Sequence, residues 1–186
     1  MGDVLLKMRN IDKIFPGVKA LSNVDFTLRA GEIHSLMGEN GAGKSRLIKV
    51  LTGVYHRDGG TITLNGKANT PNNPKEAQEC GISTVYQEVN LCPNLTVAEN
   101  IFIGREPKKF GFIDWKQINK RSADLLNSLN IHIDVTKTLD HYSVAIQQMI
   151  AIARAVDVDA KILILDEPTS SLDEEETKRL FSIIRQ

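Results

Sequence analysis

The chain has 186 residues, enough for one domain with a sizeable core, and its 23 basic and 23 acidic side chains balance. That balance argues against a broad nucleic-acid or acidic-membrane surface and leaves room only for a local patch. Cys80 and Cys92 match no common metal spacing and read as free thiols of a reducing cytosol. Val4-Leu5-Leu6 is too short an apolar run for a signal peptide, and Lys7 ends it. No stretch approaches the length of a membrane span, so any service to a membrane is from the water side.

In chain order, Val4 to Ile11 reads as a strand, Phe15-Pro16-Gly17 as a turn, and the alternation of Val24, Phe26 and Leu28 as a half-buried strand. Ala30-Gly31 turns the chain into Glu32–Met37, a further predicted strand. Leu47, Ile48, Val50 and Leu51 have helical spacing, with Gly53 as the stop. Asp58-Gly59-Gly60 reads as a turn, Thr61 to Leu64 as a strand, and Asn65-Gly66 as a hairpin signal. Asn73 is placed to cap a short helix with Pro74 at its first position and Glu76 three residues on, and Gly81 ends it. Ile82 to Tyr86 is another strand.

From Glu88 to about Asp159 the pattern is helices and loops without a clear strand. Thr96 and Asp114 open two capping boxes, and Ser143 a third helix. The stripe Ile118, Ser122, Leu125, Leu126, Leu129 and the stripe Ile146, Met149, Ile150, Ala153, Val156 read as packing faces, with Trp115 at core or rim. Ile162 to Leu165 suits a strand buried on both sides of a parallel sheet. A last helix starts at Asp173, acidic in its first turn and basic further on, in accord with the helix dipole.

Two stretches carry chemistry. Gly38-Glu39-Asn40-Gly41-Ala42-Gly43-Lys44-Ser45 reads G-x-x-x-x-G-K-[ST] between a predicted strand and a predicted helix. The glycines let backbone N–H groups wrap a polyphosphate, Lys44 supplies a point charge for the outer phosphates, and the Ser45 hydroxyl is placed to hold Mg²⁺. A ligand-free glycine-rich turn would not need Gly-Lys-Ser at that offset. Downstream, four apolar residues lead into Asp166-Glu167. A carboxylate at a strand tip can hold Mg²⁺ through a water, a role for Asp166; its neighbour Glu167 can polarise the attacking water as general base. An acidic pair after a strand also serves simply to start a helix, and the upstream phosphate loop tips the reading towards catalysis.

With these residues in place the chain resembles the ATP-binding subunits of ABC transporters over nearly its whole length. Gly38 to Ser45 looks like Walker A and Ile162 to Glu167 like Walker B. Gln87 looks like the Q-loop glutamine, which in the family touches Mg²⁺ and senses the membrane partner. Ser170-Ser171-Leu172-Asp173 looks like the D-loop, and Phe15 falls where the family stacks an aromatic on adenine. The segments 15–21, 38–45 and Asn100-Ile101-Phe102-Ile103-Gly104-Arg105-Glu106 are similar to bacterial importers of simple sugars, the ribose and galactose group, nearest the galactofuranose-importer type.

The resemblance implies an α/β fold of the P-loop NTPase class: a RecA-like core with an antiparallel β-subdomain and an inserted helical subdomain, truncated before the last core strands. Residues 1–186 would then form a single incomplete ABC ATPase domain, with 1–87 and 160–186 as the ATP-binding core and 88–159 as the helical subdomain. The implied ligands are ATP and Mg²⁺. Nucleotide would be held by Phe15, Gly38, Glu39, Asn40, Gly41, Ala42, Gly43, Lys44, Ser45, Arg46 and Ser143, and the metal by Ser45, Gln87 and Asp166. Glu167, Lys44 and Gln87 would be catalytic.

The implied partners are a second ATP-binding half, transmembrane permease subunits and, indirectly, a periplasmic sugar-binding protein, with no nucleic acid. The implied location is peripheral, on the cytoplasmic face of the inner membrane.

Three departures stand out. The family's Leu-Ser-Gly-Gly-Gln signature falls on Tyr142-Ser143-Val144-Ala145-Ile146, of which Ser143 alone is retained. Arg46 replaces a Thr that would reach the α-phosphate. The four histidines, His34, His56, His132 and His141, all precede Asp166, whereas the family's switch histidine follows the next strand. The weakened signature, the missing switch histidine and the incomplete core favour a rival reading, a nucleotide-binding module without turnover. A soluble ABC-type ATPase acting on DNA or ribosomes is a third reading, opposed by the neutral charge, the absence of long heptads and the importer-like segments.

Overall fold

Leu6, Met8 and Ile11 are fully buried in strand β1 (Val4–Phe15), so the two-residue alternation slips by one residue between Met8 and Ile11. In the computed structural model, which describes residues 2–39, 43–85, 91–158, 160–169 and 172–185, a β-bulge absorbs that slip, with Asn10 at φ 53°. Strand β2 (Val18–Arg29) runs antiparallel to β1 and has its own left-handed residue, Asn23. The amides freed at the two irregularities find carboxylates on the opposite strand: Asn10 N–H donates to Asp25 at 2.7 Å and Asn23 N–H to Asp12 at 3.0 Å.

These elements belong to the first of two compact units, Met1–Ile82 and Ser83–Gln186. The first unit's sheet has the order β2-β1-β3-β4, with β3 at Gly59–Leu64 and β4 at Lys67–Ala68. Asn65-Gly66 forms the predicted hairpin turn, both residues at positive φ. Gly59 and Gly60 of the predicted turn at 58–60 instead open β3. Gly60 sits at φ 86° so close to β1 that a Cβ would lie 2.4 Å from the Arg9 carbonyl, an approach that glycine permits. Asn73 caps helix α2 (Pro74–Glu79) as read, its Oδ1 accepting from Glu76 N–H at 2.9 Å.

Residues 32–37 correct the sequence reading. No ladder pairs with them among the described residues, and Ile33 and Met37 are 67% and 86% exposed. A strand is stabilised by its neighbours, and apolar composition does not supply them. The segment is held by side chains instead: Glu32 accepts the Arg29 N–H at 2.8 Å and bonds His34 at 2.9 Å, whose ring meets Phe26 edge-on.

The second unit buries one apolar cluster built from helices α3 (Val97–Phe102), α4 (Trp115–Ser128), α5 (Val144–Asp157) and α6 (Glu174–Arg185). All four predicted starts hold. Thr96 and Glu99 form the capping box, Asp114 accepts from Gln117 N–H, Ser143 from Ile146 N–H, and Asp173 from Glu176 N–H. The predicted stripe of α4 is buried or packed on the core, as is that of α5 except Val156, which is exposed. A pure 3.6 period carries Val156 to the edge of the stripe, while Gln148 and Ile152 take buried places.

Asn100 is buried and ties the preceding loop to α3. It accepts the Cys92 N–H at 2.7 Å and donates to the carbonyls of Cys92, Leu95 and Thr96. A small hairpin missed in the sequence, β6 (Lys108–Lys109) with β7 (Phe112–Ile113), interrupts the helical stretch. Two-residue strands are too short to show alternation. Strand β5 (Ile82–Val85) pairs with β8 (Ile162–Leu165), where Ile162 is buried and the next three residues half-buried, so the expected burial on both sides is only partly met. Tyr86, expected to end β5, lies outside the described residues.

Candidate nucleotide site

In the first unit, helix α1 (Lys44–Leu51) begins directly behind Gly43, which is buried at φ 91°. A Cβ there would lie 3.1 Å from Leu21 Cδ2 and 3.3 Å from the Ala20 carbonyl, on top of the left-handed backbone. Glycine therefore lets the helix start pressed against β2. No side chain caps this N-terminus, so its first-turn N–H groups and the positive end of its dipole remain available to an anion. Leu47, Val50 and Leu51 are buried, which anchors the helix while Ser45 stays exposed in its first turn.

Lys44 Nζ donates to two loop carbonyls, Gly38 O and, at 3.0 Å, Glu39 O. The loop thus brings Gly38, Glu39, Gly43, Lys44 and Ser45 together, with Arg46 half-buried beside them and without a hydrogen bond or ion pair among the described residues. Asn40, Gly41 and Ala42 lie outside the described residues. Phe15, half-buried at the end of β1, meets Tyr55 edge-on at 5.1 Å with Lys13 Nζ 5.4 Å over its ring. Tyr55 N–H in turn donates to the Lys49 carbonyl of α1 at 3.0 Å. Sequence reasoning missed Tyr55; its position just after the helix stop was the one available signal.

In the second unit, Asp166 continues the pairing of β8 by donating its N–H to the Val85 carbonyl at 3.0 Å. The next residue, Glu167, turns to φ 47° immediately before Pro168. The left-handed region is costly for a side chain with a Cβ, on the order of 1–3 kcal/mol. The turn leaves Glu167 exposed and Asp166 half-buried. Ser143 is exposed at the head of α5 with its hydroxyl engaged as the cap at 3.4 Å from Ile146 N. Val144 beside it is 54% exposed. Gln87, Ser170 and Ser171 lie outside the described residues.

Among the described residues no cluster of His, Cys, Asp or Glu could hold a metal by itself. Mg²⁺ is commonly held by one or two protein groups together with substrate phosphates, and the Ser45 hydroxyl and the Asp166 carboxylate are each, taken separately, of a ligand type it accepts. The uncapped helix start and the glycine-only conformation at Gly43 suit a phosphate chain.

A protein-family model described as ABC transporter matches residues 21–170. The chain belongs to the ABC transporter family. It is 58% identical over 182 residues to the galactofuranose transporter ATP-binding protein YtfR of Escherichia coli K12, covering 98% of this chain and 36% of that protein. It is 50% identical to the ribose import ATP-binding protein RbsA 1 of Rubrobacter xylanophilus, with the same two coverages. The chain therefore spans just over a third of the length of these relatives. Among solved structures, an ATP-binding cassette of an ABC transporter in its ADP conformation superposes with TM-score 0.86 at 26% identity, over 98% of this chain and 76% of that one. The cassette likeness agrees with the expected P-loop α/β class. Among the described residues no helix is long and apolar enough to cross a membrane.

Proposed function

We propose that this chain binds Mg-ATP through its phosphate loop and hydrolyses it as part of an ABC importer of simple sugars. The first turn of α1 carries the reading: a left-handed Gly43, an uncapped helix start, then Lys44 and an exposed Ser45. The sugar assignment is supported by the names of its relatives, a galactofuranose transporter ATP-binding protein and a ribose import ATP-binding protein.

The residues divide the work. Loop amides and the α1 N-terminus bind the phosphates, and Lys44 leaves the Gly38 and Glu39 carbonyls to neutralise the outer ones. Phe15 stacks on the adenine, and Arg46 stands beside the α-phosphate. Glu167 takes a proton from the water that attacks in line. Mg²⁺ would be held by Ser45, by Gln87 and, through water, by Asp166, and would supply charge neutralisation between the phosphates. Residues 1–87 and 160–186 form the ATP-binding core in this reading. Residues 88–159 form the helical subdomain that docks on the permease at the cytoplasmic membrane face. A second ATP-binding half presents its signature to the first nucleotide, and a periplasmic sugar-binding protein acts only through the permease.

Binding without turnover is the second reading, favoured by the side chain of Val144, exposed where the family's signature has glycine. Mg-ATP turnover against protein concentration, with calorimetric ATP binding, separates the two. Turnover that rises faster than linearly and is lost in Glu167→Gln supports hydrolysis by paired copies. ATP binding with no turnover in either protein supports the second reading.

A further inference from the structure

The β6–β7 hairpin leaves its apolar side chains in solvent. Phe110 is 92% and Phe112 79% exposed, and Ile113 and Trp115 are also exposed. Phe110 sits in the tight turn at φ 53°, followed by Gly111 at φ 86°. An aromatic residue rarely adopts that conformation, so the turn holds a strained residue whose ring stands almost wholly in solvent. Packing within the fold does not explain it.

The charges around this tip are one-sided. Lys108, Lys109, Lys116 and Lys120 are exposed, and none forms an ion pair among the described residues. Lys109 Nζ lies 5.9 Å over the Phe110 ring. The two nearby carboxylates are engaged locally: Glu106 accepts the Gly104 N–H at 2.8 Å, and Asp114 caps α4. Backbone N–H groups first, then Lys108 and Arg105, hold the Glu106 carboxyl below its ordinary range. The strand register puts Lys109 opposite Phe112 and Lys108 opposite Ile113, so cation and apolar group alternate on both faces.

We propose that this hairpin inserts its aromatic tip into the headgroup layer of an anionic lipid bilayer. Exposed Phe and Trp among lysines is the composition that partitions to a membrane interface, with the ring in the acyl boundary and the ammonium at the phosphates. A protein partner is less well matched. Specific protein interfaces bury about 800 Å² per side, more than a turn between two-residue strands presents. The proposal is independent of the nucleotide reading.

Trp115 is the only tryptophan, so its emission reports on the site directly. The full chain, without nucleotide, is titrated with vesicles of phosphatidylcholine alone and with about 40% phosphatidylglycerol, a content that gives a surface potential for lysines to sense. A blue shift and co-sedimentation with the anionic vesicles alone, weakened by salt, are expected. Phe110→Ser/Phe112→Ser abolishes both, and Lys108→Glu weakens partitioning by at least roughly fivefold, the effect of removing one lysine near the surface. Circular dichroism of each variant, unchanged from the parent, shows that exposed substitutions left the fold intact. An emission unaltered by anionic vesicles overturns the proposal. So does equal binding of the Phe110→Ser/Phe112→Ser variant.

Discussion

At the scale of single residues, Lys44 and Glu167 make separable predictions. Lys44 Nζ bonds two loop carbonyls, which gives it a resting place; the proposed role adds a phosphate for it to receive. In Lys44→Ala a charge-assisted contact to phosphate is lost, worth about 1.5–3 kcal/mol, and ATP affinity measured by calorimetry falls roughly 10- to 150-fold. Glu167→Gln keeps the shape of the left-handed turn and removes only the base. Turnover then falls about 10²- to 10⁴-fold with ATP affinity retained. Equal loss of binding in that variant would assign Glu167 to the ligand rather than to the proton. Gly43→Ala places a methyl 3.1 Å from Leu21 on a backbone at φ 91°. It is expected to lower both the thermal midpoint and ATP affinity, because the helix start and the proposed phosphate cradle share the same atoms.

At the scale of elements, the capped helices and the pinned loop of the second unit carry the test. Asn100 satisfies four backbone groups of residues 92–96 from inside the core. Asn100→Ala leaves several of them without partners, and chemical denaturation is expected to show about 2–3 kcal/mol of destabilisation. Thr96→Ala removes a cap and is expected to cost about 1 kcal/mol. The larger effect at Asn100 follows because buried polar groups lose solvation as well as a bond, whereas water can reach a helix end. This ranking gives a physical basis to the importer-like segment that begins at Asn100: its first residue is a structural fastener.

At the scale of the whole molecule, pH is the sensitive variable. Asp12, Asp25 and Asp58 have their carboxyls held below the ordinary 3.8, chiefly by the N–H groups of Asn23, Asn10 and Ile14, then by Lys19, Arg9 and Lys13. A folded value below the unfolded one gives stability that is complete above the unfolded pKa and is lost as pH falls through the folded value. The thermal midpoint is therefore expected to stay level from about pH 7 to 5 and to fall below about pH 4, with the long β1–β2 ribbon loosening early. A midpoint unchanged to pH 3 would show that these carboxylates do not steady the bulges. Much of the molecule could be read from sequence because it is encoded locally: caps at Asn73, Thr96 and Ser143, the Asn65-Gly66 turn, and the Gly-Lys-Ser offset each act through neighbours a few residues away. Tertiary structure alone decided that residues 32–37 have no ladder among the described residues, that Tyr55 meets Phe15, and that Glu167 turns left-handed. It also decided that Phe110 and Phe112 stand in solvent rather than in a core. Pairing and burial depend on what the rest of the chain brings alongside, and hydrophobic pattern records only a residue's preference for such company.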